Sequence, residues 1–243
     1  MGTASKRIDF ESQIGVQQMA DIGLFEAMFS TRALRRLKPD PIPDELISKI
    51  IDAGTQAASG GSEQHWLFVV VKDPAQRKRI ADIFPQALAI MGPYLKTAKT
   101  PPHLSQKQRD LIMKGATYLF QHLAEVPVLI FACLRPQEGV DPAILPPEVL
   151  ARTGWTDRLL GASIYPAVQN MILACRALGL GTVLTFLHTL KEGDIKQVLG
   201  LPGEISTYAM LPVGYPIDKF GPVKRKPVRE VACLDRYGNP WPG

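Results

Sequence analysis

Two adjacent glycines, set between a helical pattern and a buried-strand pattern, constrain this chain more than any other feature. Upstream, Leu46, Ile47, Ile50, Ile51, Ala53 and Ala57 recur at three- and four-residue spacing, as on the apolar face of a helix. Downstream, Trp66-Leu67-Phe68-Val69-Val70-Val71 is continuous, aromatic and β-branched, which suits a strand buried on both faces. Between them runs Ser59-Gly60-Gly61-Ser62-Glu63-Gln64-His65. Glycine lets the backbone turn where other residues clash and lets a flat ligand approach the main chain. The hydroxyls and the amide around it offer donors and acceptors. Ser-Gly-Gly is also an ordinary helix stop, so this stretch alone supports either reading.

The rest of the pattern gives one α+β domain over residues 26–243, preceded by an N-terminal extension, 1–25. A short helix is predicted from Gly23 to Phe29. Pro39, Pro41 and Pro43 then forbid helix until the acids at Asp44-Glu45 open the next one. After the strand at 66–71, a helix is expected from the Lys72-Asp73-Pro74 turn to about Ile90. Ser105-Gln106-Lys107-Gln108 is a capping box, opening a helix that carries Leu111, Ile112, Tyr118, Leu119 and Leu123. Pro127–Leu134 reads as a second buried strand. Residues 135–153 hold four prolines and no period, and are expected to form a surface excursion, as lids and partner contacts do. Ala162–Leu178 is the expected central helix, with Ala167, Val168, Met171, Ile172, Cys175 and Leu178 in one apolar band and Pro166 within its first turn or so. Gly179-Leu180-Gly181 stops it. Strands are predicted at Thr182–Leu187 and Thr207–Gly214, a short helix at Asp194–Leu199, and an added edge strand at Glu230–Leu234. The sheet is expected to carry helices on both faces.

Composition narrows the function classes. A net charge of +5 spread over 243 residues suits anionic small ligands and gives no case for nucleic acid. No apolar run reaches membrane-spanning length, and the first residues lack a signal-peptide core. The three cysteines are odd in number, and Cys133 and Cys175 sit in apolar patterns as small core residues. The four histidines show no metal-ligand spacing. A cytoplasmic protein without metal is expected. No dinucleotide fingerprint, phosphate loop or nucleophile elbow is present, and no paired carboxylates sit beside a nucleophile. Binding groups without an evident acid, base or nucleophile leave the chemistry to a cofactor.

Two basic clusters join the glycine loop as candidates. Arg32 and Arg35, beside a rigid proline segment, can aim two guanidinium forks at one phosphate; a solvated basic turn has the same sequence. Lys224-Arg225-Lys226 before Pro227 is the second, and it too reads equally as a charged surface.

Together these segments resemble the nitroreductase family of FMN-dependent oxidoreductases, over roughly Phe29 to Pro227 and more weakly across 85–155. Thr31-Arg32-Ala33-Leu34-Arg35 and the following Lys38–Pro43 are similar to the family's opening arginine motif and proline segment. Ala58–Trp66 is similar to its Pro-Ser-Gly-Gly-Asn-x-Gln-Pro-Trp loop, and Ala167–Gly181 to its central helix and glycine stop. Leu211–Pro216 and Lys224–Pro227 are similar to its closing strand and phosphate-binding tail. The resemblance implies a nitroreductase-like FMN-binding fold with a central mixed sheet flanked by helices, forming a homodimer with FMN at the interface. By it, Arg32, Arg35 and Arg225 hold the phosphate and Ala33 contributes main chain. Ser59, Ser62 and Gln64 face the ring or ribityl chain, and Leu184, Thr185 and Phe186 contact the flavin. Thr31 stands where arginine is frequent, Ser62 where asparagine is usual, and Ala58 and His65 where prolines occur.

The implied activity is hydride transfer from NADPH or NADH through FMN to a nitroaromatic, quinone or similar electron-poor acceptor, in ping-pong order, with no side-chain nucleophile. Two alternatives use the same scaffold: a specialised activity such as reductive dehalogenation or flavin fragmentation, and a non-catalytic flavin carrier.

Overall fold

The computed structural model describes residues 22–136 and 155–243, the side chains of Lys96 and of 155–160 excepted. Most of the N-terminal extension, and the excursion from 137 onward, therefore lie outside the described residues.

Six α-helices and four strands are found among the described residues. In chain order they are α1 (Leu24–Ser30), α2 (Asp44–Thr55), β1 (Trp66–Val71), α3 (Pro74–Thr97), α4 (Gln106–Gln121), β2 (Val128–Leu134), α5 (Trp155–Ala177), β3 (Gly181–Thr182), α6 (Glu192–Leu199) and β4 (Ser206–Gly214). The strands form one sheet in the order β1-β2-β4-β3. The class is α+β, as expected. Each described pairing is antiparallel, however, where a mixed sheet was anticipated. The β2–β4 register slips between Ala132 and Cys133, a bulge that leaves Tyr208 as the extra residue.

Side-chain alternation along the central strands supplies both cores. Val128, Ile130, Ala132 and Leu134 of β2 pack with Leu46, Ile47 and Ile50 of α2 and with Val168, Met171 and Cys175 of α5. Leu129, Phe131 and Cys133 turn to the opposite face, against Ile80 and Phe84 of α3, Leu119 of α4 and Ile195 of α6. All seven residues of β2 are buried, while β1, at the sheet edge, is fully buried only at its two ends. That is less burial than the continuous apolar sequence of β1 led one to expect.

Several elements follow directly from local chemistry. Ser105 and Gln108 form the predicted capping box at α4. At the end of α5, Gly179 takes φ +70°. Leu180 N–H then donates to Cys175 O at 2.8 Å and Gly179 N–H to Arg176 O at 3.2 Å, the bonding pattern of a Schellman stop.

Other expectations are corrected. α3 runs on to Thr97, through Pro85 and Pro93; the apolar period fades before its end because Ile90 and Tyr94 face outward. α5 begins at Trp155, which puts Pro166 in its interior rather than its first turn. Ile172 is only partly buried, beside fully buried Met171. The strand expected at Thr182–Leu187 shrinks to Gly181–Thr182 plus one bridge at Thr185–Met210, then a 3-10 turn at Leu187–Lys191. The proposed edge strand near 230–234 folds on itself instead: Cys233 bridges Pro240, with Asp235 and Gly238 at positive φ between them.

Candidate functional site

The non-helical segment between α1 and α2 is stitched to the body on two sides. Leu34 N–H donates to Thr182 O at 3.0 Å. From the C-terminal tail, Ile217 N–H donates to Arg36 O at 2.9 Å and Gly221 N–H to Ser30 O at 3.2 Å. Lys38 N–H returns a bond to Tyr215 O at 2.8 Å. Leu34 and Leu37 point inward and are buried. Leu37 rests on two glycines that face each other across β3 and β4: a Cβ on Gly181 would stand 2.8 Å from Leu37 Cδ2, and one on Gly214 2.9 Å from Leu37 Cβ. No side chain larger than hydrogen fits either place without moving the leucine.

With the leucines committed inward, Arg32, Arg35 and Arg36 line a cavity of about 910 Å³. Its other walls include Lys114 and Tyr118 of α4 and Asp218 and Arg225 of the tail. The structure thus brings together Arg32, Ala33, Arg35 and Arg225, all expected at a phosphate. Among the described residues no carboxylate pairs with Arg32, Arg35 or Arg225. Burial draws the Arg35 guanidinium below its ordinary pKa. A partly desolvated cation with no counter-charge is unfavourable until an anion arrives.

Arg35 also lines a second, smaller cavity of about 250 Å³. Leu184, Thr185 and Phe186 form one wall of it, and apolar side chains from α3 and α4, such as Leu88, Met91 and Met113, form another. Thr185 is fixed by two backbone bonds with Met210, at 3.0 and 2.8 Å. A cationic chamber and an apolar chamber sharing one arginine suit a molecule with an acidic tail and a flat apolar body. On this test the residues present fit FMN.

The glycine loop lies elsewhere. Ser59, Ser62 and Gln64 line neither cavity. Gly60 through Gln64 are exposed. The loop is braced internally: Gln64 N–H donates to Ser59 Oγ at 3.0 Å, and Gln64 Nε2 donates to Ser62 O and Oγ, each at 3.3 Å. Gly60 N–H donates to Ser163 Oγ of α5 at 3.3 Å. Gly61, Ser62 and Gln64 take φ of +59°, +57° and +54°. Only the first of these positions is occupied by glycine, so two side-chain-bearing residues hold a left-handed backbone.

Sequence reasoning passed over Arg36, Lys114, Tyr118 and Asp218. Arg36 adjoins the noted arginine pair, and Lys114 and Tyr118 share a helix face at i, i+4 spacing, but only the fold joins them. It also missed His188, which is fully buried in the 3-10 turn that follows the Leu184–Phe186 wall. Neither ring nitrogen of His188 has a hydrogen-bond partner among the described residues. Its ring stands edge-on to Phe131, 5.4 Å between centroids. Burial pushes its pKa down to about 4, with the Glu192 carboxylate opposing.

The sequence profile described as Nitroreductase family matches residues 29–215. An NADH dehydrogenase of Thermus thermophilus is 25% identical over 206 residues, 84% of this chain and 92% of that protein. An iodotyrosine deiodinase of Danio rerio is 25% identical over 234 residues, 91% of this chain and 71% of that protein. Among solved structures, the NADPH:FMN oxidoreductase from Vibrio harveyi complexed with NAD+ superposes with a TM-score of 0.63 at 21% identity, covering 88% of this chain and 78% of that one. The match of sequence motifs, fold and the two-chambered cavity has one source: the chain belongs to the nitroreductase family.

Proposed function

We propose that this protein is an FMN-dependent NAD(P)H oxidoreductase acting on small electron-poor acceptors such as nitroaromatics and quinones. The observation that carries this reading is the convergence of Arg32, Arg35 and Arg225 on one cavity, with Arg35 opening onto the apolar chamber walled by Leu184–Phe186. The three guanidiniums would hold the FMN phosphate by charge-assisted hydrogen bonds worth about 1.5–3 kcal/mol each. The apolar chamber would receive part of the ring and exclude water from it. When bound, FMN supplies the hydride chemistry, accepting reducing equivalents from a reduced nicotinamide and passing them to the acceptor in ping-pong order. Family membership and the Thermus thermophilus relative support the same reading.

A second copy of the chain would complete the site. The exposed loop at 60–64 lines neither cavity of its own chain, which fits Ser59, Ser62 and Gln64 meeting the FMN of a partner. Leu24, Phe25, Met28 and Phe29 of α1 and Leu111 and Ile112 of α4 are exposed large apolar residues, as an interface requires. Residues 26–243 would act as a single domain, with 1–25 an extension of it. No helix among the described residues is long and apolar enough to cross a membrane. The free, buried thiols of Cys133 and Cys175 suit a reducing, cytoplasmic setting. The iodotyrosine deiodinase relative keeps reductive dehalogenation as the second reading.

Purified protein should be yellow, and its flavin absorbance should bleach under anaerobic NADPH or NADH. Protein that stays colourless after reconstitution with FMN overturns the proposal. Rapid nicotinamide oxidation with a nitroaromatic favours the first reading; slow nicotinamide oxidation with dehalogenation by dithionite-reduced protein favours the second. Light scattering that shows a monomer with full FMN content would refute the shared site.

A further inference from the structure

The cationic cavity holds more positive charge than an FMN phosphate requires. Arg32, Arg35, Arg36, Lys114 and Arg225 line it against a single carboxylate, Asp218, among the described residues. An FMN phosphate brings close to two negative charges, and the three arginines assigned to it already exceed that. Arg36 and Lys114 remain. We propose that these two side chains, grouped at Tyr118, form a second anion site that takes the 2′-phosphate of the nicotinamide donor, so that the protein favours NADPH over NADH. The inference rests on the oxidoreductase reading above and deepens it.

Arg36 is held in place before any ligand arrives. Its Nη1 lies 3.2 Å from Asp218 Oδ1, and its guanidinium sits over the Tyr118 ring, 5.6 Å from the centroid. The contact to Asp218 uses one corner of a fork that carries five N–H donors, so the remaining edge is free to bind an anion bidentately. About half of the Arg36 side chain is open to solvent. Lys114 lies one helical turn before Tyr118 on the same face of α4, is exposed, and has no ion pair among the described residues. Arg36, over the Tyr118 ring, and Lys114, one turn earlier on the same helix, therefore line the same cavity wall.

The position suits a dinucleotide. A nicotinamide must reach the flavin ring at the apolar chamber, and Arg35 joins that chamber to the cationic one. The adenosine end of the donor then trails into the larger cavity, where the unassigned cations stand. NADH lacks the 2′-phosphate and gains nothing from them. Because both cations are solvent-exposed, the discrimination is modest, about tenfold, and shrinks as salt rises.

Calorimetry on the FMN-loaded protein tests the site directly with adenosine 2′,5′-bisphosphate and adenosine 5′-monophosphate as probes. The bisphosphate should bind about tenfold tighter at low salt, and Lys114→Ala should remove most of that difference. Anaerobic stopped-flow reduction gives the second readout. The NADPH-to-NADH ratio of reduction efficiency should fall about tenfold in Lys114→Ala and in Arg36→Gln, with FMN content measured on the same samples. Equal affinity for the two probes, or a ratio that both variants leave intact, overturns the proposal. So does loss of FMN from the variants with the ratio preserved, which would mean that Arg36 and Lys114 serve the FMN phosphate in place of the arginine absent at Thr31. If neither nicotinamide reduces the flavin, the oxidoreductase reading fails, and calorimetry still decides whether the 2′-phosphate site exists.

Discussion

The arginine segment and the glycine loop resemble each other in sequence, both short, polar and next to helices, yet the fold treats them oppositely. Residues 30–38 are pinned by backbone bonds to β3 and to the tail, with two leucines driven into the body. Residues 60–64 are exposed, and the loop is braced mostly by its own atoms, with two non-glycine residues at positive φ. The first segment builds a cavity within its own chain. The second stores backbone strain of about 1–2 kcal/mol per residue while presenting polar groups outward. The arginine cavity is thus built within one chain, whereas the loop serves the site only if, as proposed above, a second copy of the chain completes it.

Substitutions can break this contrast or sharpen it. The largest effect is expected beneath the loop side, where the Met171 side chain fills the space above Gly54 and locks α2 to α5. Met171→Ala should cost about 2–5 kcal/mol in denaturant unfolding. Half-buried Ile172→Ala should cost visibly less, and a reversed order would mean that the loop's helix leans on a different face of α5.

Next comes pH, acting on the arginine side through the turn behind Leu184–Phe186. His188 has a folded pKa of about 4 against an ordinary 6.5. As pH falls below about 6.5 the unfolded chain takes up the proton first. The stability His188 contributes is therefore complete above 6.5 and is lost on the way down to about 4, a fall of about 3 kcal/mol. Unfolding midpoints at pH 7, 5.5 and 4.5 should follow that slope, and His188→Phe should flatten it. A wild-type slope that persists in the variant would assign the acid sensitivity elsewhere.

Arg225→Ala should raise the FMN dissociation constant by about ten- to a hundredfold, the equivalent of about 1.5–3 kcal/mol. The apo melting temperature should barely move, because Arg225 is exposed and, among the described residues, its side chain bonds only to the neighbouring Lys224 carbonyl. An unaltered dissociation constant would remove the tail from the cationic half. The smallest effect is expected in the loop: Ser62→Gly relieves a left-handed side chain at the cost of chain entropy, a net gain of about 0.5 kcal/mol in unfolding. A loss instead would show that the bond from Gln64 Nε2 outweighs the backbone strain.

Much of this is legible in the sequence wherever short-range chemistry decides the outcome. The Ser105 capping box, the buried run of β2 and the glycine stop at Gly179 each need only neighbours within a few residues, and each formed as read. Arg32, Arg35 and Arg225 were recognised as cationic, but that they share a cavity depends on the tail lying along residues 30–38, which no local pattern encodes. The grouping of Arg36, Lys114 and Tyr118 was invisible for the same reason: an exposed lysine and a part-buried tyrosine on a helix mean little until a guanidinium arrives from another segment. The strand anticipated at Thr182–Leu187 ended early because, beyond Thr182, the chain meets β4 only through a single bridge at Thr185. The positive φ at Ser62 and Gln64 could not be foreseen, since neither residue type announces a left-handed backbone.

The two facing glycines under Leu37 carry a consequence for how such a protein can change. The spacing of its cations is decided by bare main chain, one layer below any residue that would touch the cofactor. A single methyl group added at position 181 or 214 would lift the leucine, tilt the whole ribbon of arginines, and retune the grip on an acidic ligand while every liganding side chain kept its identity.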